Sequence, residues 1–216
     1  MLVDIWSDVV CPWCYLGKRR LEAALARFPH RDAVQVHWHS FELDPQSGPS
    51  SDVPSAEPLA AKYGMSVEDA RARHAQLEEL AAAEGLEYHL DRTRGGNSFD
   101  AHRLHQLAID RGLSDAVMER LMRAYFTEGE AIDDREVLLR LVAEAGLDPE
   151  EARAVLESDR YAEDVRADEG TAARIGIRGV PFFVLGRRFG VSGAQAPDIM
   201  LQALEKAWEE TQGAAA

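Results

Sequence analysis

Leu2-Val3-Asp4-Ile5-Trp6-Ser7-Asp8-Val9-Val10-Cys11-Pro12-Trp13-Cys14 is the stretch from which the rest of the chain is read. Leu2 to Trp6 has the look of a short apolar strand, and after Cys11 the period changes. Cys14, Leu21, Leu25 and Phe28 recur at helical steps until Pro29 stops them. The cysteine pair therefore stands where a strand turns into a helix. Only a thiolate attacks a disulfide, and the unpaired N–H groups and positive dipole end of a helix N-terminus stabilise one there. Pro12 suits the first helical position, where a missing N–H costs nothing. The N–H groups of Trp13 and Cys14 are then expected to point at the Cys11 sulfur. Cys11 reads as the nucleophile and Cys14 as the resolving thiol, more buried in the first turn.

Two blander readings of the pair are weaker. A structural zinc site wants four ligands, and the chain has only two cysteines and no H-x3-5-H partner. An inert buried pair would pack well enough, because free cysteine behaves as a small hydrophobe. It leaves the coincidence of strand, C-x-x-C and helix unexplained.

Composition sets the outer bounds. At 216 residues the chain can hold one sizeable core, or a core and a subdomain. It is 46% hydrophobic and 29% charged, ordinary for a globular protein. The net charge of −14 argues against a broad nucleic-acid surface, which needs clustered Lys and Arg. Gly17-Lys18-Arg19-Arg20 is the compact basic run and reads as a solvated helix face or a local positive field near the dithiol. No apolar run is long enough to span a bilayer. Met1 leads into the first strand without a secretory signal pattern, so a cytoplasmic location is expected. In a reducing compartment a lone cysteine pair reads as catalytic rather than structural.

Val34 to Phe41 reads as a second strand, with Val34, Val36 and Trp38 on one face and His37 and His39 on the other. An H-x-H pair on a strand can ligate metal, but nothing nearby in sequence adds further ligands. Glu42 to Glu57 is rich in Pro, Ser and Asp and reads as a loop. From about Pro58 to Ile175 the pattern is helical, with start signals at Ser66, Ser98, Ser114, Asp134 and Asp148-Pro149. The run Val117, Met118, Leu121, Met122, Tyr125 and Phe126 gives one helix a broad apolar face. A strand at Val180–Leu185 and another at Phe189–Val191, joined by Gly186-Arg187-Arg188, read as a hairpin. A last helix carries Leu201, Leu204 and Trp208, and the Ala-rich tail after Gly213 is expected to fray. The helical segment is far longer than a crossover needs, so most of it must form a subdomain.

A strand running into a helix through C-x-x-C is where thioredoxin-like proteins keep their redox pair. Ser7 to Gly17, together with Gly176-Ile177-Arg178-Gly179-Val180-Pro181-Phe182-Phe183-Val184, resembles the cytoplasmic DsbA-like thioredoxin family, and more narrowly its FrnE-type oxidoreductases. Asn97-Ser98-Phe99-Asp100-Ala101-His102 and Val191-Ser192-Gly193-Ala194-Gln195 match the same pattern, so the resemblance spans essentially the whole chain. It implies an α/β thioredoxin fold, residues 1–57 with 170–216, interrupted by an all-helical domain, residues 58–169. It also implies a cis Pro181 across from the dithiol, aiming the Val180 backbone at a bound peptide or glutathione.

On that resemblance Cys11 and Cys14 are the catalytic pair. Pro12, Trp13, Val180, Pro181, Asn97, His102 and Gln195 are candidate substrate contacts, and no metal is expected. Asn97 to His102 would be the part of the helical domain nearest Cys11. There His102 would tune or shuttle a proton, the alternative being a helix-surface His facing solvent. The implied activity is thiol–disulfide exchange on a peptide, protein or small-molecule disulfide. It needs no bound cofactor beyond the Cys11–Cys14 disulfide, with glutathione a possible co-substrate and neither nucleic acid nor membrane as partner. Related 2-hydroxychromene-2-carboxylate isomerases and kappa-class glutathione transferases use a serine at the position of Cys11. A glutathione-dependent isomerase or transferase on an aromatic small molecule is therefore one alternative, and a non-enzymatic chaperone-like binding module is another. Some FrnE-type proteins carry a second cysteine pair, which this chain lacks.

Overall fold

The structure, a computed structural model, describes residues 1–213; the Ala-rich tail expected to fray lies outside them. Strands β1 (Leu2–Ser7), β2 (Gln35–Ser40), β3 (Phe182–Leu185) and β4 (Phe189–Ser192) form one sheet in the order β2-β1-β3-β4. β1 and β2 run parallel, and the other pairs are antiparallel. A parallel pair requires a crossover. Helix α1 (Pro12–Arg27) supplies it and ends at Phe28, before Pro29.

Strand alternation sorts the central residues onto two faces. Trp6 lies opposite Phe182 and Asp4 opposite Val184. Trp6 forms an apolar cluster with Ala172 and Ile177, against which Phe41, Val180, Phe182 and Val184 pack. The opposite face carries Val3, Ile5, Phe183 and Leu185, all essentially without solvent exposure. The final helix, which packs on α1 and on the β3–β4 hairpin, is Pro197–Gly213. The β2 alternation read from sequence holds only in part: Trp38 is buried, whereas Val36 is exposed.

The chain divides into two compact units, Met1–Leu43 with Arg166–Ala216, and Asp44–Val165. The second unit contains α2 (Ala56–Tyr63), α3 (Val67–Ala83), α4 (Phe99–Asp110), α5 (Ser114–Arg123), α6 (Arg135–Glu144) and α7 (Pro149–Leu156). Helix α8 (Ala162–Arg174) belongs to the sheet unit from Arg166 onward, and α9 is the final helix already named. The loop after β2 lies with the helical unit because Ser50 N–H donates to Asp133 (2.7 Å) and Ser51 N–H to the Arg94 carbonyl (2.8 Å). Helix α2 begins inside the stretch that sequence alone reads as loop.

The helical unit shows its capping chemistry plainly. Ser66 accepts the Asp69 N–H, Asp134 those of Glu136 and Val137, and Asp148 that of Glu151, so orphan donors of the first turns are satisfied. Ser98 stands at the start of α4 but makes no side-chain cap; the Asn97 side-chain Oδ1 accepts the Phe99 N–H instead, at 2.9 Å. Leu104, Leu107, Met118, Leu121, Phe126, Leu138 and Leu141 fill the core. Past α5 the chain continues into a π-helical turn, Ala124–Glu128, which ends at Gly129 with φ +72°. Arg103, buried on α4, donates from Nε to the Arg160 carbonyl (3.0 Å) and from Nη1 to Asp100 (2.8 Å). Its Nη2 donates to the Val155 and Ser158 carbonyls, at the end of α7.

Candidate active site

Cys11 is the N-cap residue of α1 and Pro12 its first helical residue. The turn is held by the Cys11 N–H, which donates to the Asp8 carbonyl at 3.1 Å. The expected pointing of the Cys14 N–H at the Cys11 sulfur is not what is found. That N–H donates to the Cys11 backbone carbonyl at 2.9 Å, and the Cys11 side chain makes no capping hydrogen bond. The first-turn amide is taken by the helix ladder itself, so what remains for the sulfur is the field of the helix end rather than a directed bond.

Both thiols are free and buried, Cys11 at 3% and Cys14 at 1% exposure, so burial alone does not rank them. Their surroundings do. Burial and then the hydrogen bond and charge of Cys11 push the Cys14 thiol well up. The Ser7 hydroxyl and the Asp8 backbone act against that rise. Cys14 is therefore the thiol held in its protonated form.

Across from the pair, the Cys11 thiol donates to the Val180 carbonyl at 3.5 Å. The Val180–Pro181 peptide bond is cis, and the buried Pro181 ring lies against Gly17 of α1. A Cβ added at Gly17 would come to 2.9 Å from Pro181 Cγ and 3.3 Å from Phe183 Cζ. Pro12 is half-buried, while Trp13 is 43% exposed, the most open residue of the motif and the one placed to meet something from solvent.

The remaining sequence candidates have other attachments. The Gln195 side-chain amide donates to the Ser192 carbonyl at 2.7 Å and holds the turn between β4 and α9, where Arg20 donates to the Ala194 carbonyl (2.7 Å). Asn97 and His102 belong to the helical unit. Asn97 caps α4 and also donates to the Pro45 carbonyl at 3.3 Å. His102 is completely buried, which overturns the alternative of a solvent-facing histidine. Among the described residues no group of three or more His, Cys, Asp or Glu is placed to hold a metal ion.

One charged cluster of the sheet unit was not read from the sequence. His39 Nδ1 is 2.7 Å from Asp168 and Nε2 is 2.9 Å from Asp4. The second Asp168 oxygen accepts the Ser40 N–H at 2.9 Å. The imidazole stacks on Trp6 with centroids 4.4 Å apart, and the Trp6 indole N–H donates to the Asp168 carbonyl (3.1 Å). Burial works against the charged ring, but the bonds to Asp168 and Asp4, with their charges, prevail and raise His39 to about 9. The H-x-H pattern was visible, whereas Asp168 arrives from 129 residues further along the chain and no spacing announces it.

Comparison with known proteins agrees with this geometry. Over 97% of its length the chain is 50% identical to a probable DsbA oxidoreductase from Streptomyces coelicolor, whose crystal structure it covers to 91% with a TM-score of 0.92. A 2-hydroxychromene-2-carboxylate isomerase is similar in fold, with 16% identity, full coverage of both chains and a TM-score of 0.71. So is the cytosolic disulfide reductase DsbM from Pseudomonas aeruginosa with GSH, at 23% identity and a TM-score of 0.66 over 97% of this chain and 100% of that one. Among the described residues no helix is long and apolar enough to cross a membrane. The DSBA-like thioredoxin domain model matches residues 2–205, and with a dithiol at the start of α1 and a four-stranded mixed sheet in the same unit the chain belongs to the DSBA-like thioredoxin domain family.

Proposed function

We propose that this protein is a thiol–disulfide oxidoreductase working through Cys11 and Cys14. The observation that carries the reading is the asymmetry of the pair: two free thiols share the N-terminal turn of α1, and the second is held protonated by burial and by the first. Cys11 thiolate attacks one sulfur of a substrate disulfide and expels the other as a thiolate. Cys14 then attacks Cys11 in the mixed disulfide, releasing the reduced substrate and leaving a Cys11–Cys14 disulfide. In the oxidative direction the same steps run backward. The exposed Trp13 and the Val180 backbone beside Cys11 are the surfaces offered to the substrate, with Pro12 and Pro181 shaping the walls.

The substrate is a disulfide of a peptide, protein or small molecule, and the redox disulfide replaces a bound cofactor. Glutathione is the thiol we assign as co-substrate, in a cytoplasmic setting. A cytosolic disulfide reductase of the same fold has been crystallised with it, and at 23% identity that likeness supports the fold alone. With a net charge of −14 we assign no nucleic-acid partner. Gln195, in the turn between β4 and α9 of the same unit as the dithiol, is assigned as a further substrate contact, and its variants should alter KM. The test is a redox titration of the purified protein against glutathione, read by alkylation and mass. A single two-electron transition confined to Cys11 and Cys14 is the expected result. A chain that stays dithiol across the glutathione range, yet turns over a substrate with glutathione after loss of Cys14, would be an isomerase or transferase instead.

A further inference from the structure

β1 ends at Ser7, and the chain turns through Asp8, Val9 and Val10 to reach Cys11. The Cys11 N–H closes that turn on the Asp8 carbonyl at 3.1 Å. An aspartate at the first position of a β-turn is common and carries no meaning by itself. Two observations set this one apart. Asp8 is completely buried, and its two carboxylate oxygens accept from two different segments of the chain. Oδ1 accepts the Val10 N–H at 3.4 Å, whereas Oδ2 accepts the Leu43 N–H at 2.7 Å.

The Leu43 bond has a definite place in the sheet. Along the parallel pairing of β1 and β2, the Gln35 N–H donates to the Met1 carbonyl and, just past β2, the Phe41 N–H donates to the Ser7 carbonyl. Continuing that register would send the Leu43 N–H to Val9, which already belongs to the turn. A backbone donor left behind by a departing strand needs another partner, and the Asp8 carboxylate supplies it.

We infer that Asp8 is the positioning residue of the nucleophile: its side chain carries the ladder one step past the point where the main chain leaves it, and so fixes the turn that holds Cys11 Sγ 3.5 Å from the Val180 carbonyl. The inference rests on the exchange reading above and adds a residue to it. In the capture step the Cys11 thiolate forms a bond to one substrate sulfur, and the other sulfur leaves with the electron pair of the broken bond. That displacement depends on where Cys11 Sγ stands relative to the chain held along Val180. A carboxylate is the group the two donors require, because both of its oxygens accept. Asparagine offers one oxygen and would set its NH2 against the second N–H. Glutamate would press an extra methylene into surroundings where Asp8 and Val9 are both without exposure.

The test uses the full chain in a Cys14→Ser background, where capture by Cys11 is the end point. A disulfide-linked model peptide is the probe and iodoacetamide the control. Asp8→Ala should slow capture of the peptide about tenfold, a loss in the range that misplacing a reacting atom brings. Asp8→Asn should slow it about threefold, since one of the two side-chain bonds survives. Alkylation by iodoacetamide, compared at the pH where its rate stops rising, should be unchanged, because that reagent needs no alignment with Val180. A role in stability alone would lower the denaturant midpoint and leave both rates of the folded protein as they are. Amide hydrogen exchange gives a readout independent of activity: Val10, Cys11 and Leu43 should lose protection together in Asp8→Ala. If Asp8→Ala does not fold, the isosteric Asp8→Asn is read in the same way. Capture at the wild-type rate, an equal loss in alkylation, or unchanged protection of those three amides overturns the assignment. If the wild type captures no disulfide, the exchange reading fails, and the amide protection still decides separately whether Asp8 sets the turn that carries Cys11.

Discussion

Gly17 and Pro181 touch with no room between them: a methyl group at position 17 would sit 2.9 Å from the proline ring. Gly17 lies in the second turn of α1, three residues beyond Cys14, and Pro181 follows Val180, whose carbonyl is 3.5 Å from Cys11 Sγ. The packing of one helix residue thereby sets where the segment facing the dithiol can lie.

Gly17→Ala puts two effects in opposition. Alanine gains about 1 kcal/mol of helix propensity, while forcing a methyl into filled space costs about 1–3 kcal/mol. The expected outcome is a protein no more stable than the wild type, with disulfide exchange reduced several-fold because Val180 has been displaced from Cys11. Chemical unfolding and exchange rates measured on the same samples check both halves. A variant that is more stable and fully active would show that the Pro181 ring gives way freely.

Cys11→Ser should abolish exchange, whereas Cys14→Ser should accumulate mixed disulfides on Cys11. Limited alkylation at low pH followed by peptide mass mapping should label Cys11 first, since Cys14 is the thiol held up by burial and by its partner. Predominant labelling of Cys14 would reverse the two roles.

His39 makes stability depend on alkaline pH in a defined direction. Its folded value of about 9 lies above the ordinary 6.5. The contribution is therefore fully present below about pH 6.5 and is lost as the pH rises through about 9. The difference corresponds to about 3 kcal/mol at most. Urea unfolding at pH 6 and pH 9.5 should show the wild type losing stability relative to His39→Gln across that interval. Parallel pH dependence in the two proteins would mean that Asp4 and Asp168 do not hold the imidazolium.

Arg103→Ala should destabilise the helical unit by about 3–5 kcal/mol, the usual cost of removing one partner of a buried charged network. Arg103→Lys should recover little, because an ammonium cannot serve the Val155, Ser158 and Arg160 carbonyls and Asp100 together. Denaturant midpoints of the three proteins decide this.

The parts of the fold legible in the sequence were those written in local chemistry. The strand-to-helix switch at Cys11, the Ser66, Asp134 and Asp148 caps, and the break at Gly146 each need only a few neighbouring residues, and the structure has them there. Ser98 looked like a cap of the same kind, but its neighbour Asn97 reached the free N–H first. Relationships assembled by the sheet were not legible. Asp4, His39 and Asp168 come from β1, β2 and α8, and nothing in their spacing pairs two carboxylates with one imidazole.

The ends of the segment that carries the helical unit are fastened together within the sheet unit itself. Glu42, its side chain wholly buried, pairs with Arg166; Glu169 accepts both the Glu42 N–H (3.1 Å) and the same guanidinium (2.7 Å); and Leu43 is bonded to Asp8. The sheet thus treats everything from Asp44 to Val165 as one loop already closed at its base. Because the entropy of closing a loop grows only slowly with its length, the staple at Glu42 and Arg166 makes the site tolerant of grafting. A foreign helical module, or a short linker in place of this one, would inherit a prepared socket.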